Sequence, residues 1–369
     1  MTLAETIRTF RWGARLIFLG SMLLILGRLF FNFSVNIVIP RPPTPPTPTP
    51  PASFGLLPRL NFKTLALDQT STISYAVLLI SPHLPTGPGQ LPVYRIAPLR
   101  LSLLAEERAS AQAKNLGFTG PPTITEENYL WQEDQAQLRI EKKSLNLFYN
   151  YNYRGRSDLF VPALIYSEGT ALQIGRQFLQ EKGLLGGLEN SKAHLQMFEY
   201  QSGTLIPTRD FRRAAAFKVD FAFPPVGEYP ILTSPKNEGL VKILFTPNPV
   251  NRRAVGQVLQ IQSIRWPVLW QQFSNYPLRT GKEAWEEFKN QAQGLIYLRD
   301  RQGNELGRGT KVKEFRLKEA FLGYLMTDQY QPFLQPIWVF KGEALLREGR
   351  GTVQWLAYRP AVDSRWIAP

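Results

Sequence analysis

The chain has 369 residues, 44% hydrophobic and 12% aromatic: too long for one ordinary core, and apolar enough to offset the ordering entropy of about two or three domains. Cysteine is absent, which excludes disulfide scaffolds, thiolate metal sites, cysteine nucleophiles and a lipidated N-terminal cysteine, and leaves the redox compartment open. Lys and Arg outnumber Asp and Glu by 43 to 29, a formal +14 that attracts polyanions such as nucleic acid, anionic headgroups or acidic envelope polymers, and equally serves solubility.

The N-terminal part differs in kind from the rest. A short tail, residues 1–15, carries Arg8, Arg11 and Arg15; then LIFLGSMLLILGRLFFNFSVNIVI runs from Leu16 through Leu24 and Arg28 to Ile39, long enough to span a bilayer. Arg28 costs roughly 3 kcal/mol at a span centre. Sixteen Leu, Ile, Phe and Val residues oppose it at about 0.3 to 0.6 kcal/mol each, so insertion stays favourable. Leu16 to Gly27 alone has the make-up of a signal-peptide core, but no A-x-A-like cleavage site follows, which favours an uncleaved anchor over 16–39.

Residues 40–54 form a linker whose core is PRPPTPPTPTPP. Such a run adopts extended polyproline II at about 3.1 Å per residue and acts as a semi-rigid spacer. A PxxP ligand is the alternative, but directly after a span a proline spacer lifts a domain off the surface. Three arginines precede the span, against Arg41 and Arg59 just after it. The positive-inside rule therefore places the tail inside and the bulk of the chain outside: a single-pass cell-membrane protein with extracytoplasmic C-terminal domains.

Beyond the linker the pattern predicts an α+β architecture of three tandem modules, 55–160, 161–272 and 273–369, each an antiparallel sheet with one helix packed on it. The first helix is read in SLLAEERASAQAKNLGF, with Leu103, Leu104, Ala105, Ala109 and Ala113 on its apolar side and Gly117 as the stop. The second lies in SEGTALQIGRQFLQEKG, where Ala171, Ile174, Gly175 and Phe178 share a face and Gly183 ends it. The third opens on Thr280-Gly281-Lys282-Glu283, a capping box, followed by Trp285, Phe288 and Ala292 at helical spacing.

Strand-like runs follow each helix, among them NYLWQED, AHLQMFEY, GLVKILF and PIWVFKGEALL, with RQGNE and REGRG as glycine turns. In FLQPIWVFKG the pairs Ile337, Val339 and Trp338, Phe340 point to opposite faces, so the segment reads as a proline-started strand that is central in its sheet.

Catalytic motifs are missing. Gly281-Lys282 has Tyr276 where a phosphate loop needs glycine, G-x-S-x-G is absent, and Gly307-Arg308-Gly309 and Gly349-Arg350-Gly351 lack the rest of a dinucleotide loop. His83 and His194 belong to no metal pattern, and the neighbouring acids Glu106-Glu107, Glu126-Glu127, Glu133-Asp134 and Glu286-Glu287 diverge as adjacent residues do. The expectation is a protein without turnover, cofactor or metal. LNLFYNYNYRGR mixes aromatics and arginines like a nucleotide platform, but Leu145, Leu147, Tyr149, Tyr151 and Tyr153 alternate as in a half-buried strand, and no nucleic acid is expected outside a membrane. Basic clusters at Arg209-Arg212-Arg213, Arg252-Arg253 and Arg308-Lys311-Lys313 read as solvated edges that also suit anionic headgroups or polymers.

The order NYPLRTGKEAWEEFKNQAQGLIYL, then FRLKEAFLGYLM, then FLQPIWVFKG resembles the C-terminal module of the YycH/YycI type of membrane-anchored extracytoplasmic regulatory proteins. A Tyr-Pro pair leads into a helix, and a Leu-Gly-Tyr strand precedes a Pro-x-Trp strand. The resemblance covers about the last hundred residues and the general layout. It implies a non-catalytic protein that binds the outer domain of a membrane sensor kinase or another envelope protein; the long proline stalk and additional N-terminal module depart from the type and leave the kinase partner open. The alternative is an envelope glycan or anionic-polymer binder. Contact residues are expected among exposed aromatics and arginines, and the sequence does not say which are exposed.

Overall fold

Among the described residues the first strands, β1 (Ser74–Val77) and β2 (Gln90–Ile96), precede helix α1 (Ala105–Asn115). Four strands follow, β3 (Thr123–Ile124), β4 (Asn128–Glu133), β5 (Ala136–Glu141) and β6 (Leu147–Tyr151), then α2 (Glu168–Glu181). The chain continues through β7 (Ala193–Gln201), β8 (Thr204–Thr208), β9 (Ala216–Phe221), β10 (Ile231–Ser234), β11 (Val241–Pro247), β12 (Val255–Ser263) and β13 (Val268–Pro277). Helix α3 (Gly281–Lys289) leads to β14 (Leu295–Arg299), β15 (Val312–Thr327), β16 (Phe333–Leu346) and β17 (Thr352–Pro360). The structure, a computed structural model, describes residues 52–67, 72–80, 83–162, 165, 167–234, 238–251, 253–290, 292–300, 303–347 and 351–368. The expected tail, the anchor with Leu16, Leu24, Arg28 and Ile39, and the proline run up to Pro51 lie outside these residues, as do Arg252 and Gly349-Arg350. None of the described helices is long and apolar enough to cross a membrane.

The strands form two sheets and the fold is α+β. One sheet has nine strands in the order β3-β4-β5-β6-β12-β11-β9-β7-β8, antiparallel throughout. The other has eight, built on β1-β15-β16-β17-β14, with β10 also on β15 and β2 bridging β13 and β16. The long strand β15 takes β1 in parallel along Glu314 to Leu317 and β10 in parallel along Tyr324 to Thr327.

This topology differs from a row of three modules. Strands of 55–160 and 161–272 share the nine-stranded sheet, while β1, β2, β10 and β13 join the sheet of 273–369. Alternation of apolar and polar residues marks a strand but not its partner, which is set by long-range register. Helices α1 and α2 both pack into the core of the nine-stranded sheet, and among the described helices α3 alone packs into the core of the eight-stranded one.

Local signals are honoured where they are strong. Thr280 Oγ1 accepts from Glu283 N at 3.2 Å and Glu283 Oε2 accepts from Thr280 N at 2.7 Å, completing the capping box of α3. That helix buries Ala284, Trp285 and Phe288 but ends at Lys289, so Ala292 is buried beyond it at φ +51. In α2 the buried face is Ala171, Ile174, Gly175 and Leu179, with Phe178 half-buried. Helix α1 starts two residues later than its leucines suggest: Leu103 and Leu104 precede it and are exposed, and its buried face is alanine alone, Ala105, Ala109 and Ala113. Gly117 and Gly183, at φ +98 and +65, stop α1 and α2.

Strand β16 is central, between β15 and β17, and both faces are buried. Trp338 and Phe340 join the core under α3, while Ile337 and Val339 join Leu325, Leu356 and Tyr358 on the opposite side. It begins at Phe333 rather than at the proline, and Pro336 sits within it opposite Tyr324. In β6, Leu147 and Tyr149 face the core, as the alternation predicts for a strand. A third cluster, Ile264 and Trp266 with Tyr324, Met326 and Leu334, joins the two sheets, and Trp266 Nε1 donates to Thr327 O at 2.7 Å.

Candidate functional site

The structure sorts the tryptophans. Trp131, Trp266, Trp285, Trp338 and Trp355 are buried and Trp366 is half-buried, whereas Trp270 is 48% exposed. Large aromatic side chains left in water at this level are the residues that anchor interfaces elsewhere.

Trp270 is exposed because of the way β13 pairs. Leu269 lies opposite Arg95 and Phe273 opposite Tyr94, adjacent residues of β2, so Trp270, Gln271 and Gln272 are extruded as a three-residue bulge. Such a bulge re-aims side chains away from the ladder. Tyr94 supports it from below: its ring lies 5.2 Å from Trp270, edge to face, and 5.8 Å from Phe273, which is 51% exposed. Tyr94 in turn contacts Tyr324, whose hydroxyl donates to Pro92 O at 2.8 Å, fixing the platform to the buried sheet. Burial raises the hydroxyl pKa of Tyr94 above the ordinary phenol range.

Beside the bulge an open groove of about 520 Å³ runs between the two sheets, lined by Trp266, Trp270, Phe223, Met326, Arg265 and the turn Gly186-Gly187. Its wall includes Leu145 at φ +57, an uncommon conformation for a leucine, in the β5–β6 connection. Asn146, almost fully buried, ties that connection to the far wall by accepting from Arg265 N at 2.9 Å. The Arg265 side chain lies on Gly186, where a Cβ would meet its Nη1 at 1.8 Å and displace it, and the φ of +54 there favours glycine independently. Desolvation lowers the Arg265 pKa and the Glu189 carboxylate partly opposes it. Ser144 Oγ is held by Glu141. The arrangement offers aromatic walls and one guanidinium, a chemistry of recognition.

Other singled-out residues are placed elsewhere. Glu287 is ion-paired to both Arg279 and Arg359. Glu133 accepts from Thr119 N and Gly120 N at 2.7 and 3.2 Å, fastening the loop after α1. Arg213 pairs with Glu199 at 2.6 Å, and His194 Nδ1 lies 3.6 Å from Asp220. His83 and Lys282 line a separate groove beside α3. Among the described residues no group of three or more His, Asp or Glu is placed to hold a metal ion. A sequence signal for the bulge exists in VLWQQFSNYP, where Gln271-Gln272 interrupts an apolar run, but nothing in that run names β2 as the partner.

No family model matches the chain, and no curated protein does. Among solved structures it is similar to an uncharacterized protein from Eubacterium rectale ATCC 33656, solved by crystallography at 1.45 Å, with 10% identity over 74% of this chain and 84% of that one and a TM-score of 0.38. A likeness this distant carries no argument about function.

Proposed function

We propose that the chain is a single-span, membrane-anchored extracytoplasmic protein that works as a non-catalytic regulatory or scaffold module, binding another envelope or sensor protein through the Trp270 surface. The observation that carries this reading is the bulge, which exposes Trp270 and Phe273 on the half-buried Tyr94 next to an open groove. Exposed aromatics seated on a rigid sheet lose little side-chain entropy on binding, which is why such residues dominate interface anchors. The apolar run Leu16 to Ile39 and the proline spacer support the anchored layout, and the resemblance of the C-terminal segments to YycH/YycI-type proteins supports the regulatory role.

The test places a photo-crosslinking residue at position 270 of the full chain in native membranes, with position 250 as a control, since Val250 is almost fully exposed on an unrelated loop. A discrete crosslinked protein at 270 and none at 250 is expected. Equal labelling at both, or none at 270, removes the contact reading.

A further inference from the structure

A third groove, of about 630 Å³, lies where the C-terminal segment packs against the edge of α3, and it is lined by Arg59, Arg279, Arg359, Glu287, Ser364 and apolar residues that include Leu60, Phe62 and Ile367. Three guanidinium groups face one carboxylate there. Arg279 and Arg359 are deeply set, with side chains 11% and 15% exposed, whereas Glu287 is 41% exposed. Desolvating two cations in a low-dielectric wall is costly, and Glu287 is the one carboxylate among the lining residues that accepts hydrogen bonds from both. Their excess positive charge is a feature that stability alone does not explain.

The donors are incompletely used. Glu287 spends one oxygen on Arg279 and the other on Arg359. Arg279 Nε donates to Pro360 O at 2.6 Å, leaving its second terminal nitrogen over. Arg359 Nε is buried with no hydrogen-bond partner, and Arg59 donates only through Nε, at 3.3 Å, to Ala368 O. Asp363, hydrogen-bonded to Arg365 at 2.8 Å, and Glu283 act on Arg279 only through space, and neither gives its guanidinium a hydrogen-bond acceptor. Forked guanidinium donors around one point suit a tetrahedral oxyanion, and the apolar wall suits an organic group attached to it.

We propose that this groove binds a phosphate ester, its oxygens taken by Arg59, Arg279 and Arg359 in partial competition with Glu287, and its organic group seated on Leu60, Phe62 and Ile367. The inference stands apart from the Trp270 surface and survives if that surface binds no protein. The same chemistry is offered by a soluble polyol phosphate and by an anionic lipid headgroup.

The test uses the full chain in a zwitterionic detergent at physiological salt, titrated with glycerol 3-phosphate and, separately, with micelles doped with phosphatidylglycerol. Saturable binding of either probe is expected; binding of both assigns the site to a free phosphate ester, and binding of the doped micelles alone assigns it to a headgroup. Arg59→Gln is expected to weaken binding roughly three- to tenfold at unchanged melting temperature, because Arg59 is tied to the fold by one long bond. Glu287→Gln is expected to tighten binding by about the same factor, although it removes two ion pairs. If Glu287 only staples the strand to the helix, Glu287→Gln lowers stability and leaves phosphate affinity where it was, and the proposal falls. It falls equally if neither probe saturates, or if neither substitution changes the affinity, which would make binding a property of the overall positive charge. Arg59→Gln alone decides the matter if the Glu287 variant does not fold.

Discussion

Trp338 donates its indole N–H to the carbonyl oxygen of Arg279 at 3.0 Å, so the central strand of one sheet holds the turn from which α3 departs. The bond is part-buried and unites two segments, the Pro-x-Trp strand and the Tyr-Pro-x-x helix start, that are adjacent in no sequence sense. Trp338→Phe keeps an aromatic ring and leaves the Arg279 carbonyl without that donor. A loss of about 2 to 3 kcal/mol is expected, from the unmade bond and the smaller ring together, read as a lower denaturant midpoint at unchanged slope.

Gly342 faces Leu317 in β15, where the β15–β16 register slips by one residue. A Cβ on it would stand 1.8 Å from Arg316 O, which is backbone and cannot swing aside. Gly342→Ala therefore has to separate two central strands, and a loss of roughly 3 kcal/mol or more is expected, enough to deplete folded protein on expression. Gly309→Ala, with open space around the added carbon, is the matched control and should be nearly silent.

Thr280→Ala removes the acceptor for Glu283 N and with it one arm of the capping box. About 1 kcal/mol is expected. In the double variant with Glu283→Ala the combined loss should be smaller than the sum of the two single losses, because each residue holds the other's backbone.

His194 gives the domain a pH dependence with a definite sign. The Asp220 carboxylate beside it raises the histidine pKa above the ordinary value against the opposing effect of burial. A raised folded-state value means that the pair stabilises fully below the unfolded histidine pKa of about 6.5 and that this contribution is lost as pH climbs through the folded value. With a side chain more than half exposed the effect is small. Thermal stability should therefore decline slightly more between mildly acidic and mildly alkaline pH in the native chain than in His194→Gln; identical profiles would show that the pair does not titrate with folding.

Legibility from the sequence tracks the range of the interaction. The α3 start was readable because Thr280 and Glu283 satisfy each other within one turn, and the two-sided burial of β16 was readable because four consecutive apolar residues leave no solvent face. Leu103 and Leu104 misled, since apolar spacing favours a leucine face, whereas α1 approaches its sheet closely enough to admit only Ala105, Ala109 and Ala113. The strands β2 and β13 carry weak signals: Pro92 interrupts one and the extruded Gln271-Gln272 the other, so neither shows a clean alternation. Both lie at the candidate contact surface, and the exposure of Trp270 depends on their pairing. The arginine groove was invisible for the same reason, as Arg59, Arg279 and Arg359 meet only in the folded chain.

The parallel pairing of β1 with β15, Ser74 beside Glu314, constrains how the molecule is made as well as how it stands. A chain leaving a ribosome or a translocation channel from its N-terminus presents β1 and β2 long before β13, β15 and β16 exist to receive them. Meanwhile β3 to β9 with β11 and β12 can complete their own sheet. Assembly is therefore expected in two acts, the nine-stranded part early and the flanking one only after the last strands arrive. Until then the waiting edge strands are what a holding chaperone would have to cover.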